Sequence, residues 1–159
     1  MAGATNDDDS GRRLAQRCLV ICAFAAFAAA IPPSTATAAG GRVTAAQAHS
    51  EAAAGARVLI DVRSPREWKQ SGLPRGAATV TVHQPAAAFL DGILAAIGGD
   101  RDRPVALICA TGNRSQRAQQ FLESRGFTNV LNVDGGLYGA PGSAGWVKSG
   151  LPMDPCKKC

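Results

Sequence analysis

The sequence predicts an α/β domain with a mostly parallel sheet and helices on both of its faces. Short apolar runs alternate with stretches of helical spacing from Thr44 to Val133, the order that builds parallel sheets through crossover helices. One of those runs, Val105-Ala106-Leu107-Ile108, is apolar without alternation, as a strand buried on both faces must be. Composition agrees: aromatic residues make up only 5% of the chain while glycine numbers 18, which suits a small layered domain better than a disulfide knot or a disordered tail.

Residues 1–38 stand apart from that domain. Arg12, Arg13 and Arg17 precede an apolar run from Cys18 to Ile31, followed by Pro32, Pro33 and the small residues Ala36-Thr37-Ala38. That order reads as a secretory signal peptide, so the protein is expected to be exported, to the periplasm. The run holds 14 residues, short of the roughly 20 that a helix needs to cross a bilayer, so cleavage is expected and no membrane contact afterwards. Gly11 before the arginine pair, and Ala15 and Gln16 after it, depart from a twin-arginine pattern; the export route stays open. Neither Cys18 nor Cys22 is preceded by the small residue that lipid attachment requires. Cleavage leaves a domain over 42–153 and an exposed tail over 154–159, with three cysteines. Cys156 and Cys159 can satisfy each other across a Cys-x-x-Cys spacing, which singles out Cys109 as the free thiol.

The elements follow in order. Thr44 can cap a helix through Ala54 that Gly55 closes. Arg57 to Val62 reads as a short buried strand ending at Asp61. Ser64-Pro65-Arg66-Glu67 places a cap, a first-turn proline and a capping-box glutamate in their proper order, starting a helix to about Gln70. Gly72, Pro74 and Gly76 break the chain before an alternating strand over Ala78 to Val82, and Pro85 opens a helix to Ile97 that Gly98-Gly99 stops. The strand Val105–Ile108 runs into Cys109. After the loop Ala110 to Arg114, Ser115 to Arg125 has helical spacing at Ala118, Phe121 and Leu122, with Gly126 as its stop. Asn129 to Val133 is another strand. Gly135 to Gly145 reads as a long glycine-rich loop, closed by Trp146 and the Gly150-Leu151-Pro152 turn.

Cys109-Ala110-Thr111-Gly112-Asn113-Arg114-Ser115 lies between a buried strand and a helix start, where open α/β sheets place ligands. Backbone N–H groups of such a loop, together with the helix N-terminus, favour negative charge on a sulfur at its start. Arg114 adds a positive charge, and Gly112 suits the bend. These features make Cys109 a candidate nucleophile.

Three landmarks together resemble the rhodanese family over about Thr44 to Pro152: Leu59-Ile60-Asp61-Val62-Arg63-Ser64-Pro65-Arg66-Glu67-Trp68, the loop from Cys109 to Ser115, and Gly135-Gly136 followed by Trp146 and Gly150-Leu151-Pro152. The resemblance implies a rhodanese-like three-layer fold with about five strands and a sulfurtransferase that needs no cofactor and no metal. It implies a persulfide on Cys109, formed from a small anionic donor such as thiosulfate and passed to a thiol or cyanide. Ala110, Thr111, Gly112, Asn113, Arg114 and Ser115 would then cradle the donor, with Asp61 and Arg66 as supports nearby. Leu73 stands where the family often has histidine. Ala110 and Asn113 stand where thiosulfate-selective loops carry basic residues, which leaves anion attraction resting on Arg114.

Rival readings are weaker on specific grounds. Arginine-loop phosphatases and arsenate reductases place five residues between cysteine and arginine, whereas four separate Cys109 from Arg114. A non-catalytic sulfur carrier or redox module would use Cys109 together with Cys156-Lys157-Lys158-Cys159, whose lysines favour thiolates. Two cysteines with only His49 and His83 to draw on fall short of a zinc site. The net charge of +5 is scattered, with no basic block and no aromatic interleaving, so nucleic acid is not an expected partner. No protein partner is legible.

Overall fold

The computed structural model describes residues 41–157 and residue 159; the expected signal peptide over 1–38 lies outside them. No helix among the described residues is long and apolar enough to cross a membrane. The elements run β1 (Arg42–Val43), α1 (Ala45–Ala53), β2 (Val58–Asp61), α2 (Pro65–Ser71), β3 (Leu73–Pro74), β4 (Ala78–Thr79), α3 (Ala86–Ile97), β5 (Val105–Ile108), α4 (Asn113–Glu123), β6 (Val130–Val133), α5 (Gly145–Lys148) and β7 (Met153–Asp154). Five strands form one sheet in the order β1-β6-β5-β2-β4, and each neighbouring pair is parallel.

Alternation along the strands divides the core between the two faces. Ile60 and Leu107 point to one side and pack with Phe89, Ile93 and Ile97 of α3 and Ala118 and Leu122 of α4. Leu59, Ala106 and Ile108 point to the other, against Ala45 and Ala48 of α1 and Trp146 of α5. Three layers result. β5 lies at the centre with all four residues buried, which is why its sequence shows no polar alternation.

The expected starts of α1 and α2 match the structure. Both carry a full capping box, Thr44 with Gln47 and Ser64 with Glu67, and Pro65 occupies the first turn of α2. Other boundaries differ. The strand expected over Ala78 to Val82 is reduced to Ala78–Thr79, although the amides of Val80 and Val82 still reach the carbonyls of Asp61 and Val62 at 3.1 Å each. The helix expected from Ser115 starts at Asn113, because Gly112 takes a φ of +96° and turns the chain two residues earlier. The expected exposed tail over 154–159 is instead fixed at its start: Met153 and Asp154 pair antiparallel with Pro74 and Leu73. β1, which runs parallel to β6, has no counterpart among the sequence expectations.

The register brings the strand ends level. Asp61 of β2 stands opposite both Thr79 of β4 and Ile108 of β5, so the residue after Ile108 emerges beside the end of β2, at the sheet's C-terminal edge.

Candidate functional site

Cys109 is that residue. Its side chain is 1% exposed and belongs to the cluster shared with α3 and α4. The sulfur accepts the Gly112 amide at 3.2 Å and lies 3.2 Å from the Ser115 hydroxyl, so two donors converge on it at the start of α4. Hydrogen bonds of this kind favour the charged form of the acceptor. Of the remaining loop residues, Thr111 and Asn113 are exposed, while Ala110 and Arg114 are half-buried.

The segment expected as a long loop supports the cysteine loop from behind. The Leu137 amide donates to the Cys109 carbonyl at 2.8 Å and the Tyr138 amide to the Ala110 carbonyl at 2.9 Å. Gly136, at a φ of +55°, lies so close that a Cβ there would collide with the Cys109 carbonyl and stand 2.8 Å from the Gly112 nitrogen. Only glycine allows this approach.

Ser115 holds one hydroxyl proton before three acceptors: the sulfur, the Gly112 carbonyl at 3.1 Å and the Asn132 side-chain oxygen at 2.7 Å. A hydroxyl serves one acceptor at a time, so the orientation of Asn132 governs whether that proton faces the sulfur. Asn132 is buried on β6. Sequence reasoning missed it, although a lone amide in the otherwise apolar Val130–Val133 was a readable signal. Replacing Ser115 by alanine is expected to slow sulfur chemistry at Cys109 about tenfold at neutral pH, because negative charge on sulfur loses one of its two donors. The check is the rate at one neutral pH, measured beside the unfolding midpoint; an unchanged rate would leave the hydroxyl with a packing role only.

Arg114, expected from the sequence as a positive charge at the loop, is paired. Its guanidinium forks onto Glu67, with Nη2 to Oε1 at 2.6 Å and Nη1 to Oε2 at 2.8 Å. Nη1 also lies 3.1 Å from His83 Nε2; since arginine only donates, the histidine nitrogen is the acceptor. The same Glu67 oxygen accepts the Ser64 amide at 2.9 Å and the Ser64 hydroxyl at 2.7 Å. The Arg114 hydrogen bonds, helped by those from Ser64, hold the Glu67 carboxyl well below the usual carboxylate range against the opposing effect of partial burial. Glu67 in turn pushes Arg114 above its ordinary range, and the nearby Cys109 and Asp61 add to that. Because the carboxyl is held low in the folded state, its stabilising contribution is complete above the ordinary carboxylate range and is lost progressively as the pH falls below that range.

Asp61 and Arg63 form a pair that is fully buried on both sides. Arg63 Nε lies 3.0 and 2.9 Å from the two carboxylate oxygens, and Nη2 lies 2.7 Å from Oδ2. Arg63 also bonds the Ser71 hydroxyl at 2.6 Å and the Gly72 carbonyl at 2.7 Å, tying the end of β2 to the end of α2. Asp61, expected as a support, is paired with Arg63. Arg66 is exposed on α2 and takes no part in this pair.

Beside the loop, a cleft of about 370 Å³ is lined by Val82, His83, Phe89, Arg114, Arg117 and Phe121, among others. Cys156 and Cys159 are joined in a disulfide, and Cys109 is the free cysteine among the described residues.

Comparison with known proteins agrees with this geometry. Residues 44–140 match the family model described as Rhodanese-like domain. The thiosulfate sulfurtransferase GlpE of Pseudomonas syringae is 36% identical over 80 residues, which cover 50% of this chain and 68% of that protein. The crystal structure of Rv0390 from M. tuberculosis superposes with a TM-score of 0.56 at 31% identity, covering 73% of this chain and 98% of that one. The polysulfide-sulfur transferase homodimer of Wolinella succinogenes gives a TM-score of 0.56 at 26% identity, covering 77% of this chain and 84% of that one. With a family match across most of the sheet and a cysteine loop at the end of its central strand, the chain belongs to the rhodanese-like domain family.

Proposed function

We propose that the protein is a sulfurtransferase that moves sulfane sulfur from a small anionic, thiosulfate-like donor to a thiol or cyanide through a persulfide on Cys109. The observation that carries the reading is the sulfur of Cys109 held between the Gly112 amide and the Ser115 hydroxyl. The thiosulfate sulfurtransferase activity named for the Pseudomonas syringae relative supports the same chemistry. In the first half-reaction the Cys109 thiolate attacks the outer sulfur of the donor, the donor's S–S bond breaks, and sulfite leaves with the bonding pair. In the second, the acceptor attacks the outer sulfur of the persulfide and Cys109 is released as thiolate. Ping-pong kinetics follow. Arg117 is exposed on the face of α4 that lines the cleft beside the loop, and it favours anions there. The leader read in residues 1–38 supports an exported, periplasmic setting.

The test is to incubate the full chain with thiosulfate, measure sulfite release, locate the added sulfur by mass spectrometry, and then discharge it to cyanide. Sulfur on Cys109 that passes to cyanide is the expected result; release of sulfite without sulfur on Cys109 would end the proposal. Replacing Arg114 by alanine is expected to raise the donor KM about three- to tenfold with little change in kcat, since it removes attraction rather than a reacting atom. Steady-state kinetics over a range of thiosulfate concentrations provide the check.

A further inference from the structure

The disulfide between Cys156 and Cys159 lies on a segment whose approach is fixed. Beyond the pairing of β7 with β3, the Arg75 amide donates to the Pro152 carbonyl at 3.0 Å and the Arg75 side chain meets Asp154 at 3.1 Å. The indole N–H of Trp146 reaches the same Pro152 carbonyl at 3.0 Å. A Cβ on Gly72 would lie 2.6 Å from the Asp154 carbonyl oxygen, so glycine is what lets the two strands meet. A disulfide across two intervening residues closes a very short loop and adds little to a segment already held at β7. Stapling does not account for it.

The pair instead faces open space. A cleft of about 570 Å³ is lined by Leu73, Ala77, Thr79, Asp154, Cys156 and Cys159, among others. Both cysteines are half-buried, and Lys157 between them is exposed, a cation that favours a thiolate beside it. Thr79 is level with Asp61, and Asp61 with Ile108. The cleft wall therefore stands two strand spacings, about 10 Å, from the strand end that carries Cys109. The five residues beyond β7 reach roughly 17 Å when extended. Cys109 has no thiol of its own loop to resolve a persulfide.

We propose that Cys156 and Cys159 form a second, redox-active site whose dithiol state takes the sulfane sulfur from Cys109 and releases it as sulfide. The inference rests on the Cys109 persulfide proposed above. One thiolate of the reduced pair attacks the outer sulfur of the persulfide; a new S–S bond forms, and the old one breaks with its electrons going to Cys109. The second thiolate then attacks the first cysteine's sulfur, closing the Cys156–Cys159 disulfide and expelling hydrosulfide. Two thiols and one thiosulfate thus yield one disulfide, one sulfite and one sulfide. The pair is oxidised and the sulfane sulfur is reduced by two electrons. An external dithiol reductant resets the pair for the next cycle.

The full chain, reduced with dithiothreitol and freed of it under anaerobic conditions, is mixed with thiosulfate in a single turnover. The expected result is about one equivalent each of sulfite and sulfide, with loss of the two alkylatable thiols at Cys156 and Cys159. The Cys156→Ser, Cys159→Ser double variant should release sulfite but keep its persulfide, with sulfide down about tenfold or more. Equal sulfide from the variant, or a persulfide that persists in the reduced native chain, overturns the second site while leaving the sulfurtransferase reading intact. Absence of sulfite from both proteins overturns both.

Discussion

Replacing Cys109 by serine is expected to lower thiosulfate-to-cyanide sulfur transfer about a thousandfold or more, with the folded state retained. The size of the effect follows from the proposed role, in which the sulfur is the atom that attacks, carries and releases, with no neighbouring group among the described residues to stand in for it. A serine hydroxyl is a far weaker nucleophile at neutral pH, and an oxygen-bound sulfur is no substitute for a persulfide. Retention of the fold follows from the surroundings. The side chain is small, its position is fixed by backbone bonds from Leu137 and Gly112, and a hydroxyl can accept the same Gly112 amide. Unfolding free energies from urea titration within about 1 kcal/mol of the native protein, measured beside the transfer assay, separate lost chemistry from lost structure. Comparable transfer rates in the two proteins would remove the proposed mechanism.

Replacing Asp61 by asparagine is expected to cost about 3–5 kcal/mol of stability. The shape is conserved while the charge is deleted, and Arg63, with no exposed surface, then keeps a buried positive charge without its counter-ion. The Ser71 and Gly72 oxygens still bond the guanidinium but do not neutralise it. Chemical denaturation at unchanged slope is the measurement. The double variant Asp61→Asn, Arg63→Met should recover more than half of the loss, because the uncompensated charge is then gone. A cost below about 1 kcal/mol for the single variant would show that water reaches Arg63 and that the pair does not hold β2 to α2.

Much of this architecture was legible because it is written locally. Ser64-Pro65-Arg66-Glu67 specifies its own helix start within four residues, and the unbroken apolar run of β5 can only sit between two covered faces. The cysteine loop was legible for the same reason: its residues are contiguous. What escaped is what depends on distant partners. β1, β3 and β7 are two residues each, and nothing in Arg42-Val43, Leu73-Pro74 or Met153-Asp154 announces a strand until the pairing strand is known. Asp61 and Arg66 were named as supports only through the family resemblance, and which arginine pairs with Asp61 shows only in the burial of Arg63. Arg114 was read as a positive charge at the loop, but its counter-ion Glu67 could not be named because it lies 47 residues away. The helix boundary at Asn113 turned on one backbone angle at Gly112, and the value of Asn132 depended on its facing Ser115 across the sheet.

Glu67 is shared between two tasks, since the carboxylate that starts α2 also grips the arginine at the start of α4. An incoming sulfonate that sought Arg114 would have to compete with an anion already in place, so capture at that guanidinium is weak by construction. Under the proposed transfer, the same rivalry would hasten departure, because the resident carboxylate would reclaim the arginine once sulfite was freed. Such a site would suit rapid turnover of an abundant donor better than tight scavenging of a scarce one.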